Sequence, residues 1–175
     1  DFGELPVRVV HFDLLFDVFD DHTMVTSQLK VKTKQTLREL QLDAKNLEIH
    51  DVASTWCNCA FVYEKEKNKL VITFSKQIPA GIELILTTKT TCRPTKNILE
   101  GLYYDETPSN CPPTQITQCQ QWGFQRLVPC FDDMTAKATY TTAIIADKRY
   151  TNIISNGDLI ENRKEVAPGR VRVKY

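Results

Sequence analysis

The residues able to carry chemistry are few and scattered along the chain. His11, His22 and His50 lie in no H-E-x-x-H metal motif, and the sequence has neither a Gly-rich phosphate loop nor a G-x-S-x-G nucleophile motif. Asp132 and Asp133 are adjacent, and adjacent side chains on an extended chain point to opposite faces. We interpret them as turn-forming or solvated carboxylates rather than as an acid/base pair. The sequence therefore predicts no catalytic residue and no metal ligand in this segment.

Cysteine offers a second kind of chemistry, because thiols bind zinc or form disulfides. The six cysteines are irregularly spaced and include no C-x-x-C pair, and a chain of 175 residues can bury a core without cross-links. Reduced, partly buried thiols are favoured over a disulfide framework or a zinc site at Cys57, Cys59, Cys92, Cys111, Cys119 and Cys130. Reduced thiols in turn favour a cytoplasmic location.

The composition is typical of a single globular domain. The chain has 22 basic and 22 acidic residues, so its formal net charge is zero, and 42% of its residues are hydrophobic. Zero net charge gives no electrostatic basis for binding nucleic acid or an anionic membrane. No apolar run approaches the ~18 residues of a spanning helix, and residues 1–6 carry no signal-peptide pattern. We expect a soluble protein with no nucleic-acid or membrane partner.

Apolar residues recur at every second position, which is the period of a strand with one solvated face. Val25, Ser27, Leu29 and Val31 share one such face. The same alternation recurs at Leu40 and Leu42, Leu47 and Ile49, Leu70 to Phe74, Ile82 to Leu86, Tyr140 to Ile144 and Val171 to Tyr175. Short strands at roughly ten-residue spacing, separated by turn residues, predict an antiparallel all-β sandwich or barrel-like domain over residues 1–175.

Helical signals are weak. Residues 117–127 contain Gly123 and no 3.6-residue apolar stripe, so they predict at most one or two helical turns. Residues 97–113 form the one long stretch without a strand pattern. A loop of that length in a compact domain is usually functional or docks on another element.

An ordered series of short motifs occupies the second half of the chain. The motifs are G-L-Y-Y from 101, T-Q-C-Q from 117, G-F-Q-R from 123, P-C-F-D-D from 129, K-A from 137 and S-N-G from 155. In order and spacing this series resembles the N-terminal domain of the gluzincin metallopeptidases of the aminopeptidase N (alanyl aminopeptidase) type. Their pattern is G-L-Y, T-Q-x-E, a small-residue and Arg pair, P-C-x-D-E-P, K-A and S-N-G. The resemblance covers nearly the whole chain and implies a saddle-like β-sandwich.

The resemblance also implies a place within a larger enzyme. In this family the zinc-binding H-E-x-x-H and the G-x-M-E-N exopeptidase motif lie in a following thermolysin-like catalytic domain, and neither motif occurs in these residues. The implied function is that of a substrate-recognition and cleft-wall domain in a zinc-dependent aminopeptidase, which removes N-terminal amino acids from peptides. The implied partners are peptide substrates and the catalytic domain of the same parent chain. Zinc ligands would lie outside this segment, which alone would be inactive.

The T-Q-x-E motif supplies the predicted substrate-binding residues. In the family its Gln lies near the first side chain of the substrate and its Glu contacts the free α-amine; the matching positions are Gln118 and Gln120. The second position therefore lacks the usual charge, as in the leukotriene-hydrolase branch. From residue types alone, the favoured role of both glutamines is to satisfy backbone groups in a loop, and only the resemblance favours substrate binding.

Two other functions stay open at this point. One is a non-catalytic aminopeptidase-like scaffold, and the other is a free-standing β-sandwich interaction module. Apolar residues around the motifs predict a docking surface for the catalytic domain, because permanent domain contacts are more apolar than free surface. The alternative is that these side chains belong to the core. They are Leu102, Tyr103, Tyr104, Trp122 and Phe124.

Overall fold

The computed structural model describes residues 4–111 and 113–175 and confirms the all-β prediction. Only two short 3₁₀ turns interrupt the strands in these residues, at Lys65–Lys67 and Phe124–Arg126. The strands are β1 (Val7–Val18), β2 (Thr23–Thr33), β3 (Leu37–Asp43), β4 (Glu48–Ser54), β5 (Cys59–Glu64), β6 (Lys69–Ile78), β7 (Glu83–Cys92), β8 (Gly101–Asp105), β9 (Thr114–Gln118), β10 (Thr139–Asp147), β11 (Glu161–Ala167) and β12 (Arg170–Lys174).

The strands form three sheets. The largest has seven strands in the order β11-β12-β10-β1-β2-β7-β4, the second has the order β3-β6-β5, and the third is the two-stranded pair β8-β9. Neighbouring strands are antiparallel, with the exception that β1 and β10 run parallel. A parallel pair requires a long crossover. Here the crossover contains β2 to β9, so local sequence patterns do not reveal it.

The core forms where the alternating faces of the sheets meet. The inward positions of β2 are buried at every second residue, as the alternation predicts, and include Val25, Leu29 and Val31. Leu70, Ile72 and Phe74 of β6 are equally buried and belong to the same continuous hydrophobic cluster. Fully burying a side chain of this size contributes ~1.5–3 kcal/mol, so the period-two pattern is the main source of stability.

Two predictions about irregular segments need revision. Residues 97–113 are not a continuous loop, because β8 occupies Gly101–Asp105 within them. This strand has five residues, and its burial decreases from Gly101 to Asp105 instead of alternating, so it lacks the pattern by which the other strands are recognised. Residues 117–127 contain a single 3₁₀ turn, in agreement with the weak helical signal.

All six cysteines are free thiols. Cys92 and Cys130 are buried, Cys57 and Cys59 are half-buried, and Cys111 and Cys119 are exposed. Burial raises the pKa of the Cys92 thiol to about 12, so this group stays protonated at physiological pH. No helix among the described residues has the length and apolarity needed to cross a membrane.

Candidate functional site

Gln118 lies at the end of a small hairpin formed by β8 and β9. The register places it opposite Gly101, and Leu102 opposite Thr117 anchors the hairpin in the core. Gln118 itself is exposed. The hairpin therefore presents this side chain to solvent from a rigid base.

The hairpin is attached to the turn between β1 and β2 by side-chain hydrogen bonds. The Tyr104 hydroxyl donates to the carbonyl oxygen of Asp20 at 2.5 Å. The Gln115 amide donates to the carbonyl oxygens of Phe19 at 2.8 Å and of Asp20 at 3.2 Å. These bonds join segments more than 80 residues apart in the chain. They set the orientation of the hairpin, and with it the position of Gln118.

After Gln118 the chain folds back across the hairpin in a crossing segment, residues 119–124. The Gly123 N–H donates to the Cys119 carbonyl at 3.0 Å. A Cβ at Gly123 would lie 2.1 Å from the Gln118 carbonyl oxygen, so only glycine fits. Gln120 is exposed within this segment, and the peptide bond that follows it is cis. The close approach at Gly123 thus fixes the backbone at Gln118, and Gln120 lies two residues further along in the same exposed turn.

Neither glutamine side chain hydrogen-bonds to another residue in the part of the chain that the structure describes. Both residues are exposed, and each side-chain amide can both donate and accept hydrogen bonds. No contact among these residues supports the alternative that the two side chains satisfy loop backbone groups.

Aromatic packing holds the far end of the crossing segment on the large sheet. The ring of Phe124 meets the rings of Phe12 at 5.5 Å and Tyr140 at 6.0 Å, both edge to face. Phe12 and Tyr140 are stacked at 5.4 Å. Such pairs contribute ~0.5–1.5 kcal/mol beyond their burial, so this end of the segment is fixed on β1 and β10.

The next motif residue, Arg126, has a structural role. Its guanidinium Nε donates to the Glu100 carboxylate at 2.5 Å, and only 11% of its side chain is exposed. A Cβ at Gly101 would lie 2.6 Å from the Cβ of Arg126, so this glycine makes room for the pair. The ion pair connects the 3₁₀ turn that follows the crossing segment to the residue before β8.

Asp132 and Asp133 have separate environments, as expected for adjacent residues. The Asp132 carboxylate accepts the Gln125 N–H at 3.1 Å, and burial together with the nearby Asp43 carboxylate raises its pKa. The Asp133 carboxylate accepts the Thr135 hydroxyl at 2.5 Å and its N–H at 2.7 Å, and these bonds lower its pKa. Asp133 forms a turn, as predicted, whereas Asp132 is half-buried rather than solvated.

The predicted docking residues divide into two groups. Leu102 belongs to the core, and Tyr103, Tyr104 and Phe124 are half-buried. Trp122 in the crossing segment is 58% exposed, and Ile116 on β9 is 43% exposed. The apolar surface next to the glutamines is therefore smaller than the sequence predicts, and Trp122 is its main member.

Comparison with known proteins identifies the family. The model of the Peptidase M1 N-terminal domain family matches residues 9–175. This chain belongs to that family. Its relatives include leukotriene A-4 hydrolase of Xenopus laevis, 26% identical over 170 residues, and aminopeptidase N of Escherichia coli (strain K12), 28% identical over 181 residues. A probable M1 family aminopeptidase 1 of Encephalitozoon cuniculi (strain GB-M1) is 27% identical over 162 residues.

The alignments cover most of this M1 N-terminal domain but little of its relatives. The alignment with the Xenopus protein includes 90% of this chain and 28% of the relative. The corresponding shares are 89% of this chain and 18% of the Encephalitozoon protein, and 100% of this chain and 19% of the Escherichia coli protein. The chain thus spans between about a fifth and just over a quarter of the length of these curated relatives. The activities in their names belong to proteins several times longer.

Zinc does not fit the described residues of this M1 N-terminal domain. In residues 4–111 and 113–175, no three or more His, Cys, Asp or Glu side chains are grouped as metal ligands. The histidines instead bond to neighbouring side chains, His11 to Thr139 at 2.7 Å and His50 to Thr91 at 2.8 Å. No step of a reaction can be assigned to an ion held by these residues.

The sequence analysis missed how the hairpin is attached to the β1–β2 turn. It predicted Tyr104 as a docking residue and did not single out Gln115, because hydrogen bonds to distant backbone carbonyls leave no local pattern in a sequence. The clearest available signal was Gly123, since a glycine inside an otherwise ordered motif often marks a close backbone approach.

Proposed function

We propose that this M1 N-terminal domain forms the substrate-recognition wall of a zinc-dependent aminopeptidase that removes N-terminal amino acids from peptides. The family membership and the hydrolase and aminopeptidase names of the relatives support the class of reaction. Zinc is the ion implied for the parent enzyme, with ligands outside the described residues. The domain contributes positioning, and the bond-breaking groups belong to the rest of the parent.

The observation that carries the proposal is the pair of unengaged glutamine amides at Gln118 and Gln120. An aminopeptidase must hold a charged amine and the first side chain at a set distance from the scissile bond. The Gln120 carbonyl oxygen can accept hydrogen bonds from the ammonium, and the Gln118 amide can contact the first side chain. Because Gly123, Phe124 and Tyr104 fix the backbone on both sides, little ordering is needed when a substrate binds.

The partner within the parent chain is a catalytic domain that packs against the exposed crossing segment. Trp122 is 58% exposed at this point, and a large aromatic side chain beside polar groups is typical of the centre of a permanent contact. The contact would enclose Gln118 and Gln120 between the two domains. A cytoplasmic location is part of the same proposal, and the free thiols agree with it.

The proposal is tested on the full-length protein with a panel of aminoacyl anilides. We expect chelator-sensitive hydrolysis, and we expect Gln118→Ala to change the ranking of substrates with different first side chains. Gln28→Ala is the matched control, because this glutamine is exposed on the outer face of β2. A full-length protein without aminopeptidase activity would instead support a non-catalytic scaffold. An active enzyme whose ranking is unchanged by Gln118→Ala would show that this residue is structural.

A further inference from the structure

The turn between β1 and β2, residues 19–22, is contacted by two separate parts of the chain. The β8–β9 hairpin binds its backbone, because Tyr104 and Gln115 donate to the carbonyl oxygens of Phe19 and Asp20. Residues from the end of β10 and from β12 bind side chains of the turn and of the adjoining end of β1. The turn therefore links the hairpin that carries the recognition site to the last third of the chain.

Arg170 makes the main contact from β12. In the strand order β12-β10-β1 its guanidinium reaches across β10 to the end of β1. There it donates to the Val18 carbonyl oxygen at 2.9 Å and to the Asp17 carboxylate. Only 19% of the Arg170 side chain and 27% of the Asp17 side chain are exposed. Because solvent has limited access to this ion pair, it is screened less than a pair on the open surface.

The same guanidinium packs on the aromatic ring of Phe19. Its central carbon lies 4.3 Å from the ring centroid, which is a cation–π distance. At the other end of the turn, His22 stacks on this ring at 4.7 Å, and its carbonyl oxygen accepts the Phe19 N–H at 2.9 Å. Arg170 and Gln115 thus hold the same residue, the former through the ring of Phe19 and the latter through its carbonyl oxygen.

Asp20 receives a second contact from the end of β10. Its carboxylate accepts hydrogen bonds from the Arg149 guanidinium and from the Tyr150 hydroxyl, the latter at 2.7 Å. The side chains of Asp20 and Arg149 are both exposed, and exposed ion pairs contribute little to stability. Arg170 is therefore the stronger of the two anchors of the turn.

The donors on the hairpin do not change near neutral pH. Burial, together with the carboxylates of Asp21 and Asp20, raises the pKa of Tyr104, so its hydroxyl stays protonated and remains a donor. The Gln115 amide has no titration of its own. The orientation of the hairpin thus depends on where the two acceptor carbonyls of the turn lie, and Arg170 fixes the backbone on which they lie.

From these contacts we propose that Arg170 is a positioning residue for substrate recognition. It fixes the β1–β2 turn, the turn orients the β8–β9 hairpin, and the hairpin carries Gln118. The inference rests on the proposed function, which places Gln118 near the first side chain of the substrate. Arg170 itself touches no substrate atom in this arrangement.

The first test is steady-state kinetics of the full-length protein on aminoacyl anilides. Arg170→Met keeps an apolar stem and removes the guanidinium. We expect it to raise KM about five-fold, the effect of one lost hydrogen bond, and to change kcat less than about two-fold. Arg170→Lys keeps the charge without the forked donor geometry, so we expect partial recovery. Arg172→Met is the matched control, because Arg172 lies on the same strand but pairs with Glu161.

A second test separates positioning from a general loss of stability. If Arg170 acts through the attached hairpin, Arg170→Met should add little to the rise in KM of Tyr104→Phe/Gln115→Ala, because both changes release the same element. Hydrogen exchange in the full-length protein should also become faster over residues 101–118 in Arg170→Met and stay unchanged there in Arg172→Met.

Three results would overturn this proposal. They are rises in KM that multiply in the triple variant, unchanged exchange of the hairpin in Arg170→Met, and an equal rise in KM in Arg172→Met. If Arg170→Met does not fold, Arg170→Lys is compared with Arg172→Lys by the same measurements. Exchange requires no activity, whereas the proposed function fails if the native protein hydrolyses no anilide, so the two failures are distinguishable.

Discussion

At the scale of single residues, Gln120 presents a neutral amide where the T-Q-x-E motif has a carboxylate. A neutral carbonyl acceptor contributes ~1 kcal/mol to holding an ammonium, compared with ~1.5–3 kcal/mol for a charged partner. We expect Gln120→Ala to lower kcat/KM for free-amine peptides by only about five-fold, and Gln120→Glu to raise it or leave it unchanged. Steady-state kinetics on the full-length variants measure both. A loss of about a hundred-fold in Gln120→Ala would contradict this assignment.

Removing the charge of Asp132 and removing the charge of Asp133 should change the stability of the fold in opposite directions. Burial raises the pKa of Asp132, so the folded state disfavours its ionised form. As the pH falls through this raised pKa, Asp132 becomes protonated and the folded state is favoured. Asp132→Asn keeps an acceptor for the Gln125 N–H, so we expect its melting temperature at pH 7 to equal or exceed that of the native chain.

Asp133→Asn is the matched comparison for Asp132→Asn. Hydrogen bonds from Thr135 lower the pKa of Asp133, so its ionised form stabilises the fold above its unfolded pKa, and this contribution is lost as pH falls through the lowered value. We expect Asp133→Asn to be less stable than the native chain at pH 7, with the difference disappearing in acid. Melting temperatures from pH 7 down to pH 3 decide both cases, and an Asp132→Asn variant that is clearly destabilised at pH 7 would refute the burial argument.

At the scale of elements, the β8–β9 hairpin depends on its attachment to the β1–β2 turn. Tyr104→Phe removes the donor to Asp20, and Gln115→Ala removes the donors to Phe19 and Asp20. Each loss should cost ~1 kcal/mol or less in global stability, yet amide exchange in the hairpin should accelerate while exchange in β2 stays slow.

Hydrogen exchange measured by mass spectrometry tests the attachment of this hairpin, with Gln28→Ala on the outer face of β2 as control. If the hairpin is the support for Gln118, the double variant Tyr104→Phe/Gln115→Ala should also raise KM more than it lowers kcat in the full-length protein. Unchanged exchange in the hairpin of the double variant would show that Leu102 and the Arg126–Glu100 pair are sufficient to hold it.

At the scale of the whole molecule, one hydrophobic cluster joins both larger sheets and the segment that contains Leu127 and Val128. We expect the isolated chain to fold with a β-type circular-dichroism spectrum and to hydrolyse no aminoacyl anilide, because its described residues group no metal ligands. Chelator-sensitive hydrolysis by the pure chain would contradict this expectation, as would a helical spectrum.

Replacing a large buried side chain by a small one should destabilise the whole fold. We expect Phe74→Ala to lower the free energy of unfolding, measured by denaturant titration, by ~3–5 kcal/mol.

The sequence by itself determined the strand content and the family of this protein. Alternation of apolar and polar residues is a local signal, since side chains on a strand point to opposite faces in turn. It identified β2, β6 and β7 with their buried faces, Leu29 and Phe74 among them. The ordered motifs from Gly101 to Gly157 identified the family in the same way, because residue types and spacing are read directly from the chain.

Tertiary structure alone decided which distant segments meet. The parallel pairing of β1 with β10 joins residues far apart in the chain, and so do the hydrogen bonds from Tyr104 and Gln115. No local pattern specifies such contacts, because a strand's alternation defines its buried face but not its neighbour. The exposure of Gln118 and Gln120 likewise follows from how the crossing segment packs over the hairpin at Gly123.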